Sequence, residues 1–216
     1  MIIPVHNGAR YLAEAIRSVL AQELPAQEIL VVDDGSTDDS AGVAARFGNP
    51  VRVLRQTQQG PGAARNAGAR QAAGEFLAFL DADDLWHPAK LALQVAAFDA
   101  IPGLAVASTH VQNFHSPDLT EAQRERILCP PGAMPGMIPS ALLVRSTCFF
   151  PFPENLRAGE LIPWLGRARD LQLKIHVLPE VLVNRRLHET NLGHKGPRGY
   201  LAAVKEMLDR RRSGSA

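Results

Sequence analysis

Disulfide chemistry, membrane spans and a dominant charge are all missing from this sequence of 216 residues. Its 2 cysteines, Cys129 and Cys148, have no CxxC spacing, which excludes a metal knuckle and a disulfide framework and makes a reducing compartment the expectation. No apolar run approaches the ~20 residues that cross a bilayer. The opening MIIPVHNGAR carries neither a basic lead nor an apolar signal core of useful length. A soluble, cytoplasmic protein with no transmembrane segment is therefore expected. Lys and Arg number 23 against 22 Asp and Glu, so the overall balance calls for no nucleic-acid partner. A P-loop, a GxSxG nucleophile elbow and an HExxH pair are absent too, which removes P-loop, hydrolase and zincin readings.

What is present is enough apolar residue, 46% against 21% charged, to fill one compact domain. The first half alternates short apolar runs with helical patterns. MIIPV precedes GARYLAEAIRSVLAQ, where Leu12, Ile16, Val19 and Leu20 recur at helical spacing. EILVVDD precedes GSTDDSAGVAARF, where Ser36 is placed to cap a helix carrying Val43 and Phe47 on one face. VRVLRQ leads into GPGAARNAGARQAAG and EFLAFLD into an acidic cluster, then a helix follows with Pro88 in its first turn and Leu91, Val95 and Phe98 on one side. LAVAS makes a fifth strand. This alternation predicts an α/β fold with a mostly parallel sheet, helices on both faces, and a ligand edge beyond the carboxyl ends of the strands.

After Ser108 the pattern changes, and the chain is read as two halves of one domain, 1–108 and 109–216. Residues 113–140 are proline-rich loops with room for one small helix in DLTEAQRER. SALLVRS reads as a strand, GELIPWLGRARDLQ as a helix, and KIHVLPEVLVNRRLH as paired strands or a strand with a turn. The tail GYLAAVKEMLDRRR reads as an amphipathic helix whose arginines suit a helix end and solvent and leave a peripheral membrane contact open.

Two stretches bear on chemistry. GPGAARNAG imitates a dinucleotide fingerprint, but Arg65 stands where Gly or Ala is needed and the motif follows the third strand instead of the first. FLAFLDADDLWHP delivers Asp81, Asp83 and Asp84 to the end of an apolar strand. Carboxylates so crowded repel, and burial worsens this, so they spill into solvent, cap a helix or surround a cation. Asp84 is expected to cap the next helix, and Asp81 and Asp83 to face the ligand edge.

IIPVHNGARYLAEAIRSVLAQ, EILVVDDGSTDDS, GPGAARNAGARQAAGEFLAFLDADD and LPEVLVNRRLHETNL, in this order, resemble the family 2 glycosyltransferases of the three-layer GT-A fold. The resemblance implies transfer of a sugar from a nucleotide diphosphate donor, commonly a UDP sugar, to an acceptor hydroxyl, with inversion and usually with Mn²⁺ or Mg²⁺. The acceptor is left open among glycan, lipid and protein. By the same resemblance Asp83 ligates the metal, and Asp81 contacts the ribose or completes the metal shell. His188 reaches the metal or the diphosphate, with Arg185 and Arg186 beside it. Asp34 accepts from the uracil imide N–H, Pro4, His6 and Asn7 frame the base, and Arg65 lies near the donor phosphates or ribose. Glu160 is the one candidate catalytic base, because Leu161 stands where many members carry a second acid. Trp164 is expected in the core. A nucleotidyltransferase would share the sheet and the acidic site, but PVHNGARYL is a poor version of its phosphate loop. A non-catalytic sugar-nucleotide-binding module also stays open.

Overall fold

The computed structural model describes residues 1–156 and 158–191, so the helix expected in GYLAAVKEMLDRRR lies outside the described residues. Strands β1 (Ile2–Val5), β2 (Ile29–Asp34) and β3 (Val51–Gln56) form a parallel sheet in that order. The connections hold helices α1 (Ala9–Leu20) and α2 (Ser40–Ala45), and α3 (Pro61–Gln71) follows β3. A single parallel bridge between Ile2 and Phe79 leads from this sheet to a second one.

The second sheet runs β4 (Phe76–Ala78), β8 (Leu143–Arg145), β6 (Leu104–His115), β9 (Lys174–Leu187) and β5 (Leu85–Trp86), with β7 (Ala133–Pro135) beside β6. Helices α4 (Lys90–Ala100), α5 (Glu121–Arg126) and α6 (Leu161–Asp170) and two short 3-10 turns, Pro139–Ala141 and Ser146–Cys148, complete the described elements. Only β6–β9 is parallel here; every other pairing of this sheet is antiparallel. The fold is thus α/β with a mixed sheet, and the parallel character expected from the strand–helix alternation is concentrated in β1–β3.

Both faces of β1 and β2 are buried, which is why these strands read as unbroken apolar runs. Ile3, Val5, Ile29 and Val31 face a core with Leu12, Ala15, Ile16 and Val19 of α1 and Leu91 and Phe98 of α4. Ile2, Leu30 and Val32 face a second core with Ala64 of α3 and Leu161, Trp164 and Ala168 of α6. Two cores on opposite faces make a three-layer arrangement. Leu20, placed on the inward face of α1 by its spacing, is 44% exposed, and Ala15 takes the inward position instead.

The glycine-rich run that imitates a phosphate loop serves packing. A Cβ at Gly68 would lie 2.5 Å from Ile2 Cγ2, and one at Gly62 would lie 2.4 Å from the Pro153 carbonyl oxygen. Glycine lets α3 approach β1 and the 150–153 segment at these two points.

Other expectations are revised by tertiary pairing. β6 continues past Ser108 to His115, so a strand runs through the division placed there. KIHVLPEVLVNRRLH is one strand whose register against β6 shifts at bulges, in place of two strands. Ser36 does not cap α2: its Oγ accepts from the Asn7 N–H at 3.0 Å, and Asp39 holds the cap position. The small helix expected among the prolines is α5, closed by a Thr120–Gln123 capping box.

Lys90 opens α4 fully buried, its Nζ donating to Gln94 Oε1 at 2.7 Å and lying 3.9 Å from the Trp86 ring centre. Burial drives the Lys90 ammonium well below its ordinary value near 10.5, while the ring face opposes this in part. A depressed lysine binds fewer protons folded than unfolded, so its stability contribution is full above the unfolded value and declines as pH falls toward the folded one. Lys90→Met is therefore expected to stabilise the protein at neutral pH, with the gain shrinking as pH rises toward ~10. Urea midpoints of both proteins across that range check it. A gain equal at both ends would show that Lys90 stays charged in the fold.

Candidate active site

The three parallel strands end on one side of the sheet, and their exits carry the first group of site residues. Asp34, the last residue of β2, is buried and accepts through Oδ1 from Gln56 Nε2 at 2.7 Å and the Gln59 N–H at 2.8 Å. Its Oδ2 accepts from the Gly60 N–H at 2.8 Å, where a φ of 104° turns the chain into α3. One carboxylate thus hangs the 57–60 loop on β2, and of its roughly four lone-pair positions one stays available. His6 Nδ1 donates to the Asp34 carbonyl oxygen at 2.8 Å, and its Nε2 lies 3.1 Å from Gln58 Nε2. Asn7, at a φ of 53°, accepts through Oδ1 from the Thr37 N–H at 2.7 Å. Pro4 is buried in β1 against Val32. The structure therefore brings Pro4, His6, Asn7 and Asp34 together as one wall built of paired loops.

The acidic cluster sorts into three environments. Asp84 is 2% exposed, and its Oδ2 accepts from Ser140 Oγ at 2.8 Å while Oδ1 accepts from the Arg186 N–H at 3.1 Å. It is not the helix cap expected of it. Burial, reinforced by Asp83 and Asp81, pushes the Asp84 carboxyl well above the usual carboxylate range. Asp83 keeps its side chain 26% exposed, and its Oδ2 meets His188 Nε2 at 2.9 Å and accepts from Asn191 Nδ2 at 3.0 Å. The structure thus joins two of the three residues expected at a metal, from positions 105 apart in the chain.

Asp81 departs from that set. Its Oδ1 accepts from Arg65 Nη2 at 2.5 Å, which ties the carboxylate to α3. Arg65, expected near the donor phosphates or ribose, is 3% exposed and also pairs through Nη1 with Glu160 Oε1. The two carboxylates hold the guanidinium charged against its burial. Glu160 sits at the start of α6, just after Gly159 at a φ of 78°, and is itself buried. Asn66 fixes the 150–153 segment, accepting from the Phe152 N–H and donating to its carbonyl, both at 2.9 Å. Trp164 is core as expected, stacked on Phe150 at 4.6 Å, with Nε1 donating to the Phe150 carbonyl at 2.8 Å. Leu161 is buried in the same cluster.

Among the described residues, no three His, Cys, Asp or Glu side chains converge as a metal cage. Asp83 and His188 bring one carboxylate and one imidazole together, the donor types of a mixed oxygen and nitrogen site in which water and phosphate oxygens would fill the other positions. Ser140, Asn191, Tyr11 and Arg186 support this edge, and reasoning from the sequence gave the first three no part in it. Asn191, in the HETN turn, was the most readable of them, since Asn beside a strand end commonly hydrogen-bonds locally.

Residues 1–155 match the family described as Glycosyl transferase family 2, and the chain belongs to it. An uncharacterized glycosyltransferase of Rickettsia felis is 33% identical over 173 residues, covering 74% of this chain and 28% of that protein. The chain thus spans little more than a quarter of that relative's length. Two glycosyltransferase structures share the fold. S. aureus TarS 1-349 in complex with UDP-GlcNAc matches with a TM-score of 0.72 at 22% identity, over 95% of this chain and 64% of that one. Glucosyl-3-phosphoglycerate synthase from Mycobacterium tuberculosis, in complex with Mn²⁺, UDP and phosphoglyceric acid, matches with a TM-score of 0.66 at 19% identity, over 95% and 76%. At these identities the likeness shows the GT-A fold. Among the described residues no helix is long and apolar enough to cross a membrane.

Proposed function

We propose that this chain transfers a sugar from a UDP sugar to an acceptor hydroxyl on a glycan, lipid or protein, with inversion. The observation that carries this reading is the meeting of Asp83 with His188 beside the wall formed by the β1 and β2 exits. That edge offers a base-reading carboxylate, Asp34, and a pair able to hold a divalent ion against a diphosphate. The UDP and Mn²⁺ bound in the similar structures support the same donor and ion. When bound, such an ion supplies Lewis-acid stabilisation of charge on the leaving diphosphate. Asp34 orients the base through its remaining lone pair, and Glu160 takes the acceptor proton through Oε2. The two free cysteines, Cys129 and Cys148, agree with a cytoplasmic setting.

UDP is expected to raise the melting temperature more with Mn²⁺ or Mg²⁺ present than with EDTA. Asp83→Asn should remove that difference without unfolding the protein, because this carboxylate contributes little to either core. Equal shifts in both media would sink the metal role, and GDP or ADP shifts as large as that of UDP would sink the uridine reading.

A second reading is a sugar-nucleotide-binding module without turnover. It is favoured by Leu161, buried where a second acid often stands, and by the pairing of Glu160 with Arg65. Donor binding is common to both readings, and release of UDP from the donor in the presence of acceptor separates them.

A further inference from the structure

Tyr11, the third residue of α1, touches both residues that grip Asp83 from the end of β9, Arg186 within it and His188 just after it. Its ring lies 4.8 Å from the His188 ring and under the Arg186 guanidinium at 4.7 Å. His188 meets the Asp83 carboxylate, while Arg186 Nε donates to the Asp83 carbonyl oxygen at 3.0 Å. The far side of Arg186 is closed by Phe114 at 4.9 Å and by Glu14, which accepts from Nη2 at 2.6 Å. The Tyr11 hydroxyl points elsewhere, donating to Asp118 Oδ2 at 3.1 Å, and Asp118 also pairs with Arg10. One side chain therefore faces the metal-binding pair with its ring and ties the segment after β6 with its hydroxyl.

We infer that Tyr11 is a positioning residue for the divalent ion: its ring holds the His188 imidazole in line with Asp83 and keeps Arg186 on the Asp83 main chain. The inference rests on the reading of Asp83 and His188 as ligands. Both His188 ring nitrogens are already engaged, Nε2 with Asp83 and Nδ1 with Thr190 Oγ1 at 2.9 Å, so the in-plane orientation is set without Tyr11. What remains is tilt of the ring out of that plane, which a neighbouring ring in contact restrains. The Tyr11 ring, inclined at 42° to the imidazole, makes that contact. The cationic guanidinium on the Tyr11 ring gains in the same way, by cation–π attraction in a site that is largely desolvated. Groups that orient a metal ligand in this indirect way typically carry 10–100-fold in metal affinity.

The ring and the hydroxyl make different demands, and this gives the test. Mn²⁺ is titrated into the full chain at saturating UDP, with free Mn²⁺ followed by electron paramagnetic resonance. Tyr11→Ala should weaken Mn²⁺ binding about 10-fold or more, while Tyr11→Phe, which keeps the ring and cuts the Asp118 tether, should bind as the wild type does. UDP affinity in EDTA should be the same for all three, a result that general loosening of the fold would not give. If Tyr11→Ala does not fold, Tyr11→Leu keeps bulk without an aromatic face and carries the same expectation. Wild-type Mn²⁺ affinity in the Ala or Leu variant would overturn the inference, as would a Phe variant as weak as the Ala one. A wild-type protein that takes up no Mn²⁺ with UDP would overturn the metal reading of Asp83 and His188, and this inference with it.

Discussion

Replacing Arg65 by Met is expected to destabilise the protein by about 3–5 kcal/mol, the usual cost of removing one partner from a buried ion pair. Arg65 lies 3% exposed between Asp81 and Glu160, and the Glu160 side chain is 6% exposed. Without the guanidinium, Glu160 becomes a buried carboxylate that has lost its ion-pair partner. Its remaining options are protonation or a local opening of the start of α6. Asp81 suffers less, because a third of its side chain reaches solvent. The contrast between partners makes the expectation specific. Arg65→Met combined with Glu160→Leu should recover most of the lost stability, since an apolar pair can replace a buried ionic one at little net cost. Urea unfolding of the two variants and the wild type measures it. A single variant as stable as the wild type would mean that water satisfies Glu160, and that the ion pair does not hold α3 to α6.

The same network shows where sequence reasoning ran out. ARN in α3 and AGEL before α6 are 95 residues apart, and each is locally unremarkable: an arginine on a small-residue helix, and a glutamate at a helix start. Neither periodicity nor capping preference reports that the two side chains meet. Asp84 failed for a related reason. Acid followed by a helix is a common cap pattern, but Ser140, 56 residues on, and the main chain of Arg186, 102 residues on, claim both of its oxygens. Local propensity lost to tertiary hydrogen bonding.

What could be read was whatever burial imprints directly. β1 and β2 are covered on both faces, so their apolar runs announce strands, and the inward face of α1 follows helical spacing through Leu12, Ile16 and Val19. The second sheet leaves much of β9 and the far end of β6 partly exposed. There the run of apolar residues breaks up, and the strand lengths and their antiparallel partners were lost with it. The meeting of Asp83 and His188 came from the resemblance to a family, since spacing alone joins neither to the other.

Glu160→Gln is expected to lower sugar transfer by roughly 100-fold or more, the usual contribution of a general base, with UDP affinity unchanged. Glutamine keeps the shape of the side chain and an oxygen to accept from Arg65 Nη1, but it cannot take a proton. In the wild type Arg65 engages Oε1, which leaves Oε2 as the oxygen proposed to meet an acceptor hydroxyl. The same partner holds Glu160 in place, because the Arg65 guanidinium spans Glu160 and Asp81. Transfer through Glu160 should thus depend on Arg65 as well: Arg65→Lys, which keeps a charge but loses the fork that spans both carboxylates, should also slow turnover while preserving charge balance. Turnover and UDP affinity measured on the two variants decide the matter. If Glu160→Gln transfers sugar at the wild-type rate, Glu160 is an anchor for Arg65 and no base, and Asp118, held by Arg10 and Tyr11 on the segment after β6, is the next carboxylate to replace.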